Sequence, residues 1–279
     1  MNRYINTLYA LVIILAVGPL DTGCSSSDDI VSPPERWVLT MSDEFEGEEG
    51  TPPDPTMWTY DIGGDGWGNN QLEFNTDRPE NVSLDGQGHL RIAAREESFM
   101  GNDYTSARIK TQGLAEQQHG RFEARIKLPL GQGLWPAFWM LGANIDEVPW
   151  PGSGEIDIME YVGQRPEEVL GTLHGPGYSA GEAISRTFRL PDGETFADDF
   201  HVFAVEWDPG RITFSMDDEV YNIVRSADVS WRGDWVFNNE FFVLLNLAVG
   251  GTVGGPVGPD TIFPAEMLVD YVRIFERAQ

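Results

Sequence analysis

The chain is short of cysteine, of positive charge and of long apolar runs, and each shortage closes off a class of protein. Its 279 residues include one cysteine, Cys24, so it has neither an internal disulfide framework nor a cysteine-rich metal site. Lysine and arginine number 18 against 45 aspartates and glutamates, for a formal charge of −27. Phosphate is repelled by such a surface, which argues against nucleic acid as a partner. The acidity fits a neutral ligand and a soluble, exported protein, but it identifies no substrate. The apolar run at residues 8–17, behind Arg3, is too short to cross a bilayer and has the length of a secretion signal. A sustained helical stripe of apolar residues is also missing.

Glycine (31) and proline (18) are plentiful, and with no helical stripe they point to many strands joined by turns. The length suits one β-rich domain with a sizeable core. Residues 1–23 are read as a signal peptide and 24–36, rich in Ser, Asp and Pro, as a flexible linker. The folded domain spans 37–277, with no second domain and no internal repeat. The stretch Gly23-Cys24-Ser25-Ser26-Ser27 resembles a bacterial lipoprotein processing site, where the cysteine is acylated, although Asp21 stands where such sites usually carry Leu. The expectation is an exported protein, extracellular, periplasmic or at the cell surface, with a lipid anchor at Cys24.

Strands follow in order from Trp37. The clearest is residues 121–128, where Phe122, Ala124, Ile126 and Leu128 share one face and Arg121, Glu123, Arg125 and Lys127 the wet one. Asp217-Asp218 reads as a hairpin turn into Val220. Phe241–Val249 is a central strand whose Asn246 needs a hydrogen-bond partner or a cleft. In Leu134-Trp135-Pro136-Ala137-Phe138-Trp139-Met140-Leu141, core packing accounts for Phe138, Met140 and Leu141, while Trp135 and Trp139 share the opposite face. Strands of these two kinds imply an all-β sandwich of two antiparallel sheets packed face to face.

The chemistry concentrates in Gly154-Glu155-Ile156-Asp157-Ile158-Met159-Glu160-Tyr161. On a strand Glu155 and Asp157 share a face, and strict alternation would drive Glu160 into the apolar layer, a costly place for a carboxylate. A β-bulge at Ile158-Met159 returns Glu160 to the face of the other two acids. It also shortens the span between the outer Cα atoms from about 16 Å to about 13 Å. Leaning side chains then approach the ~5–5.5 Å carboxyl separation of a retaining glycosidase. Two indoles facing such acids suit stacking against pyranose rings.

This pattern resembles the retaining β-glucan hydrolases of glycoside hydrolase family 16, in particular their laminarinase branch. The likeness runs over residues 37–275. It is carried by Glu155 to Glu160 and by Trp135-Pro136-Ala137-Phe138-Trp139-Met140-Leu141. It is carried also by Trp67-Gly68-Asn69-Asn70, Gly171-Thr172-Leu173-His174-Gly175, Asn246-Leu247-Ala248-Val249-Gly250-Gly251 and Asp270-Tyr271-Val272-Arg273. The resemblance implies a β-jelly-roll with a concave substrate cleft, a β-glucan polysaccharide as partner, a monomer and no organic cofactor. It implies Glu155 as nucleophile, Glu160 as acid/base and Asp157 hydrogen-bonded to the nucleophile. Trp135 and Trp139 are implied to line the cleft and His174 to lie close to the acid/base, with Asn70, Arg108 and Asn246 as further substrate contacts. It also implies a structural calcium on the convex side, held by backbone oxygens and one carboxylate at Glu44, Gly88 and Asp270. Oxygen-only donors suit that ion.

Two other readings compete, besides a cell-surface structural protein, which would make no use of the three acids. One is a glucan-binding module on the same sandwich without activity, although such relatives typically lack the catalytic glutamates. The other is an enzyme acting on mixed-linkage glucan or on a galactan. Sulfated galactans call for basic subsites, against the charge of this chain, whereas mixed-linkage glucan stays open.

Overall fold

The computed structural model describes residues 37–278. The signal peptide, the linker and Cys24 lie outside the described residues. Two sheets carry nearly everything. In the larger, of ten strands, the main path runs Glu219–Arg225, Arg211–Met216, His201–Asp208, Gly120–Lys127, Ala265–Arg277, Leu90–Phe99, Asn102–Ser106 and Glu73–Asn75. In the smaller, of eight, it runs Ile184–Arg189, Glu168–His174, Glu155–Tyr161, Leu134–Gly142, Phe241–Val249, Arg108–Lys110 and Thr59–Tyr60. Pairing is antiparallel save for Glu73–Asn75 against Asn102–Ser106, which is parallel.

Apolar alternation is what joins the sheets. Phe122, Ala124 and Ile126 from the larger sheet meet Phe138, Ile156, Val243 and Leu245 from the smaller in one continuous buried core. Trp207 is its anchor, 1% exposed and edge-on to Phe241 at 5.1 Å and to His119 at 4.9 Å. The predicted hairpin turn at Asp217 and Asp218 has φ of 46° and 65°, the left-handed pair a two-residue turn of matching twist requires.

Two sequence expectations change in three dimensions. Glu123, assigned to a wet face, is buried, with Arg121 Nε donating to it at 2.7 Å. Leu141, assigned to the core, lies on the outer face of the smaller sheet in a separate cluster with Phe242, Leu244 and Trp139. Parity decides this, since Leu141 sits two residues from Trp139 and points the same way.

Glu73 ties the fold to the site. It is buried, one oxygen accepting the Val249 amide at 2.8 Å, while Leu72 N–H donates to the Val249 carbonyl. Burial pushes its carboxyl up to about 7, against the opposing pull of the Val249 amide and of Arg108. A raised folded value means that the native state holds this proton more tightly than the unfolded chain. Stability from this group is therefore lost as pH rises from about 4.5 through about 7. The full loss is roughly 3 kcal/mol at ~1.4 kcal/mol per unit. Glu73→Gln keeps an acceptor for Val249, and its urea denaturation should show a flatter dependence over that interval than wild type.

Candidate active site

The acid strand Glu155–Tyr161 contains the bulge. Against Leu134–Gly142, Trp139 pairs with Asp157 but Phe138 already pairs with Met159, so Ile158 is the extra residue. On the other flank Asp157 pairs with Thr172 and Glu160 with Leu170, leaving Gly171 opposite both Ile158 and Met159. Both of those side chains are buried in the core. Gly171 has no choice of residue here, since a Cβ would come within 2.5 Å of the Tyr221 hydroxyl and 2.6 Å of Phe214. The irregular step puts all three acids on the outer face, in register with Leu141, Trp139 and Ala137.

Neighbouring strands supply the surroundings by the same parity. Leu134–Gly142 places Trp135 and Trp139 on this face, Phe241–Val249 places Leu244, Asn246 and Ala248 there, and Arg108 pairs with Asn246. Glu168–His174 brings His174 opposite Glu155. The floor is almost closed to solvent, with Asp157 3%, Asn246 7% and Trp135 8% exposed.

Each acid has its own partners. Trp135 Nε1 donates to Glu160 at 3.1 Å, and Thr172 hydrogen-bonds the same carboxyl. Glu155 shares a hydrogen bond with Asp157 and accepts from Trp150 Nε1 at 2.8 Å. Loss of water raises all three carboxyls above their ordinary range. Asp157 and Glu160 push Glu155 further up, Glu160 pushes Asp157 further up, and His174 offsets part of the rise at Glu155 and Glu160. Three acids on one desolvated patch resist ionising together, so the cluster holds its protons more tightly than separate carboxylates would.

His174 Nε2 lies 3.0 Å from Asp157 and 3.6 Å from Glu155, so it stands beside these two acids of the strand. Its Nδ1 accepts the Ala180 amide at 3.1 Å. With Nδ1 engaged by that amide, Nε2 is the ring nitrogen on the side of Asp157 and Glu155. Glu155, Asp157 and His174 each bring one ligand-type atom to within 4.8 Å of the others.

The remaining predicted contacts are brought together unevenly. Asn246 accepts from Trp139 Nε1 at 2.7 Å and so orients the indole. Arg108 stacks between Trp139 and Trp67, its guanidinium 4.7 and 5.0 Å from their rings, and its Nε lies 2.9 Å from Asp61. Trp135 is more an arm holding Glu160 than an open platform. Asn70 is exposed on the rim, in left-handed backbone at φ 56°. Its neighbour Asn69 makes the contact there, the main-chain carbonyl accepting the Thr252 amide at 2.8 Å. Asp270 lies in the larger sheet, and Glu44 directly follows the strand Trp37–Asp43 that pairs with Ala265–Arg277. Both Glu44 carboxylate oxygens are held by Arg273 at 2.8 and 2.7 Å, and Asp270 Oδ2 is held by Arg125.

Sequence reasoning missed Trp150 and Asp61. Trp150 lies in the loop ahead of the acid strand, where no periodicity governs direction, and the adjacent Pro151 was the only local signal. Its ring lies 5.9 Å from that of His174 and is 42% exposed. Trp150→Phe should keep the aromatic wall and lose the bond to Glu155. A hydrogen bond to a charged group is worth about 1.5–3 kcal/mol, so the chemical step should slow by roughly 10–100-fold. Substrate affinity should change much less, which kcat and KM measured separately will show.

Comparison with known proteins agrees with this geometry. The model of glycosyl hydrolases family 16 matches residues 67–255. The chain is 43% identical over 265 residues to a β-glucanase of Rhodothermus marinus, covering 91% of this chain and 90% of that one. It is 40% identical to a glucan endo-1,3-β-glucosidase of Cryptopygus antarcticus, with 78% and 83% covered. Among solved structures, endo-β-1,3-glucanase from Pyrococcus furiosus superposes with a TM-score of 0.83 at 44% identity, covering 88% of this chain and 96% of that one. The laminarinase catalytic domain from Thermotoga maritima gives 0.83 at 43%, covering 88% and 100%. With the bulged acid strand, the two sheets and these relatives in agreement, the chain belongs to glycosyl hydrolase family 16 and has its β-jelly-roll fold.

Proposed function

We propose that this protein is a retaining endo-hydrolase of β-1,3-glucan that also accepts mixed β-1,3-1,4 linkages. The observation that carries the reading is the bulge at Ile158, which sets Glu155 and Glu160 on one face of one strand with Asp157 between them. Glu155 attacks the anomeric carbon while Glu160, held by Trp135 and Thr172, gives its proton to the departing oxygen. Glu160 then takes a proton from water, which releases the glycosyl-enzyme. Asp157 holds the nucleophile through their shared hydrogen bond, and His174 stands 3.0 Å from Asp157 and 3.6 Å from Glu155. Trp139, fixed by Asn246 and backed by Arg108, offers its indole to a pyranose face.

The stereochemistry tests this directly. Proton NMR of early laminarin hydrolysis should show the β-anomer first, turning into the equilibrium mixture later. An initial α-anomer would overturn double displacement. Parallel digestion of barley-type glucan measures the mixed-linkage component.

The structural calcium implied by the resemblance would be held by main-chain oxygens of Glu44 and Gly88 and the second oxygen of Asp270, because arginines take the other carboxylate oxygens. Arg273 occupies both carboxylate oxygens of Glu44, and Arg125 one of Asp270. Chelation by EDTA should lower Tm by several degrees, with recovery on calcium and no change in product profile. An unchanged Tm would remove the metal from the description.

A further inference from the structure

Past His174 the structure carries a second aromatic feature that the catalytic reading does not use. The loop after the short helix Ser226–Val229 bears Trp231, 80% exposed and the most exposed large apolar side chain among the described residues. An indole so open to water is ordinarily mobile, but this one is held. Its Nε1 donates to the Asp228 carbonyl at 3.1 Å, and the Arg232 guanidinium lies 5.6 Å from the ring. Arg232 in turn donates to the carbonyl of Glu182.

The loop is pinned to the segment that leaves the catalytic floor. A Cβ on Gly233 would fall 1.7 Å from the Pro176 carbonyl, and one on Gly177 2.1 Å from the Arg232 carbonyl, so the two backbones touch. Tyr178 donates its hydroxyl to the Asp234 carbonyl at 2.6 Å. Residues 175–180 follow His174 immediately, and the Ala180 amide is bonded to its ring. Trp231 is thus anchored next to the His174 strand, on the opposite side of the acid strand from Trp139, Trp67 and Arg108.

We propose that Trp231 is an outlying sugar platform, taking one pyranose ring of the same β-glucan chain beyond the cleft. The proposal rests on the glucanase reading above. A protein partner would call for a contiguous apolar patch of several hundred Å². Here Asp228, Ser230 and Asp234 around the indole are exposed and polar, which leaves a single flat apolar face. One such face fits one sugar ring, whose C–H surface lies on the indole while its hydroxyls meet polar side chains such as that of Glu182, 86% exposed. A neutral polymer also approaches this acidic surface without charge repulsion.

The experiment compares Trp231→Ala with wild type on laminaritetraose and on long-chain laminarin. In parallel, Glu155→Gln and Glu155→Gln/Trp231→Ala are assayed for binding to insoluble β-1,3-glucan. The platform predicts kcat/KM on the tetrasaccharide within twofold of wild type, KM on long laminarin raised about 3–10-fold, and weaker retention of the double variant. Trp231→Phe should recover part of that retention, which a purely structural role for the loop would not produce. If wild type cleaves laminarin and Trp231→Ala handles polymer and tetrasaccharide alike, the platform alone is overturned. If wild type cleaves neither substrate, the glucanase reading falls and the platform with it.

Discussion

Glu155→Gln should abolish laminarin hydrolysis, with kcat reduced at least ~10⁴-fold, while the protein stays folded and still binds the glucan. The amide has nearly the shape of the acid and still offers an oxygen to Trp150 Nε1, but it cannot form the glycosyl-enzyme. Losing the nucleophile from a cooperating set removes most of the rate enhancement by itself. Retained affinity for laminarin in a pull-down, beside lost sugar release, separates an enzyme from a binding module on the same sandwich. Near-wild-type turnover would show that Glu155 does not attack, and the mechanism would have to be rebuilt.

The pH profile of the wild-type enzyme adds a check. The carboxyls of the cluster stand above their ordinary range chiefly through burial. The acid limb of kcat/KM, where Glu155 takes up a proton, should therefore fall above the pH of an ordinary glutamate. Stability runs in the opposite sense. Raised native values mean that these groups contribute less stability as pH rises through the shifted range, because ionising them in a desolvated patch is unfavourable.

The second large effect concerns the core. Trp207→Ala removes an indole that touches Phe122, His119 and Phe241 and donates Nε1 to the Phe237 carbonyl at 3.3 Å. Truncating a fully buried aromatic costs about 3–5 kcal/mol. In a domain of this size each kcal/mol is worth roughly 2–4 °C, so Tm should fall by about 6–20 °C. The catalytic strand lies in the other sheet, so enzyme still folded at low temperature should keep close to its normal kcat. Parallel loss of kcat in folded protein would show that the larger sheet sets the geometry of the acids more directly than packing implies.

The legibility of this chain was uneven for physical reasons. Alternation has a period of two, so residues 121–128, the apolar run Phe241–Val249 and the facing of Trp135 with Trp139 followed from the order of side chains. The bulge was legible because Glu160 would otherwise sit unpaired in the apolar layer. Leu141 was misassigned because an apolar residue on an outer face looks like a core residue until parity is applied. Glu123 was misassigned because an acid bonded to Arg121 is buried at little cost. Trp150 and Asp61 were not legible at all, since loops have no period and their side chains take direction from what they meet in space.

By itself, then, the order of residues determined the all-β class and the three acids on one strand. Alternation and the cost of a buried charge are local consequences of covalent geometry and hydration, so they show in the sequence. Only the tertiary structure decided that Trp135 holds Glu160, that Trp150 holds Glu155, and that His174 sets its Nε2 beside Asp157. Those contacts join segments that touch only after the strands pair in register, and register over the whole sheet is a property of the folded chain.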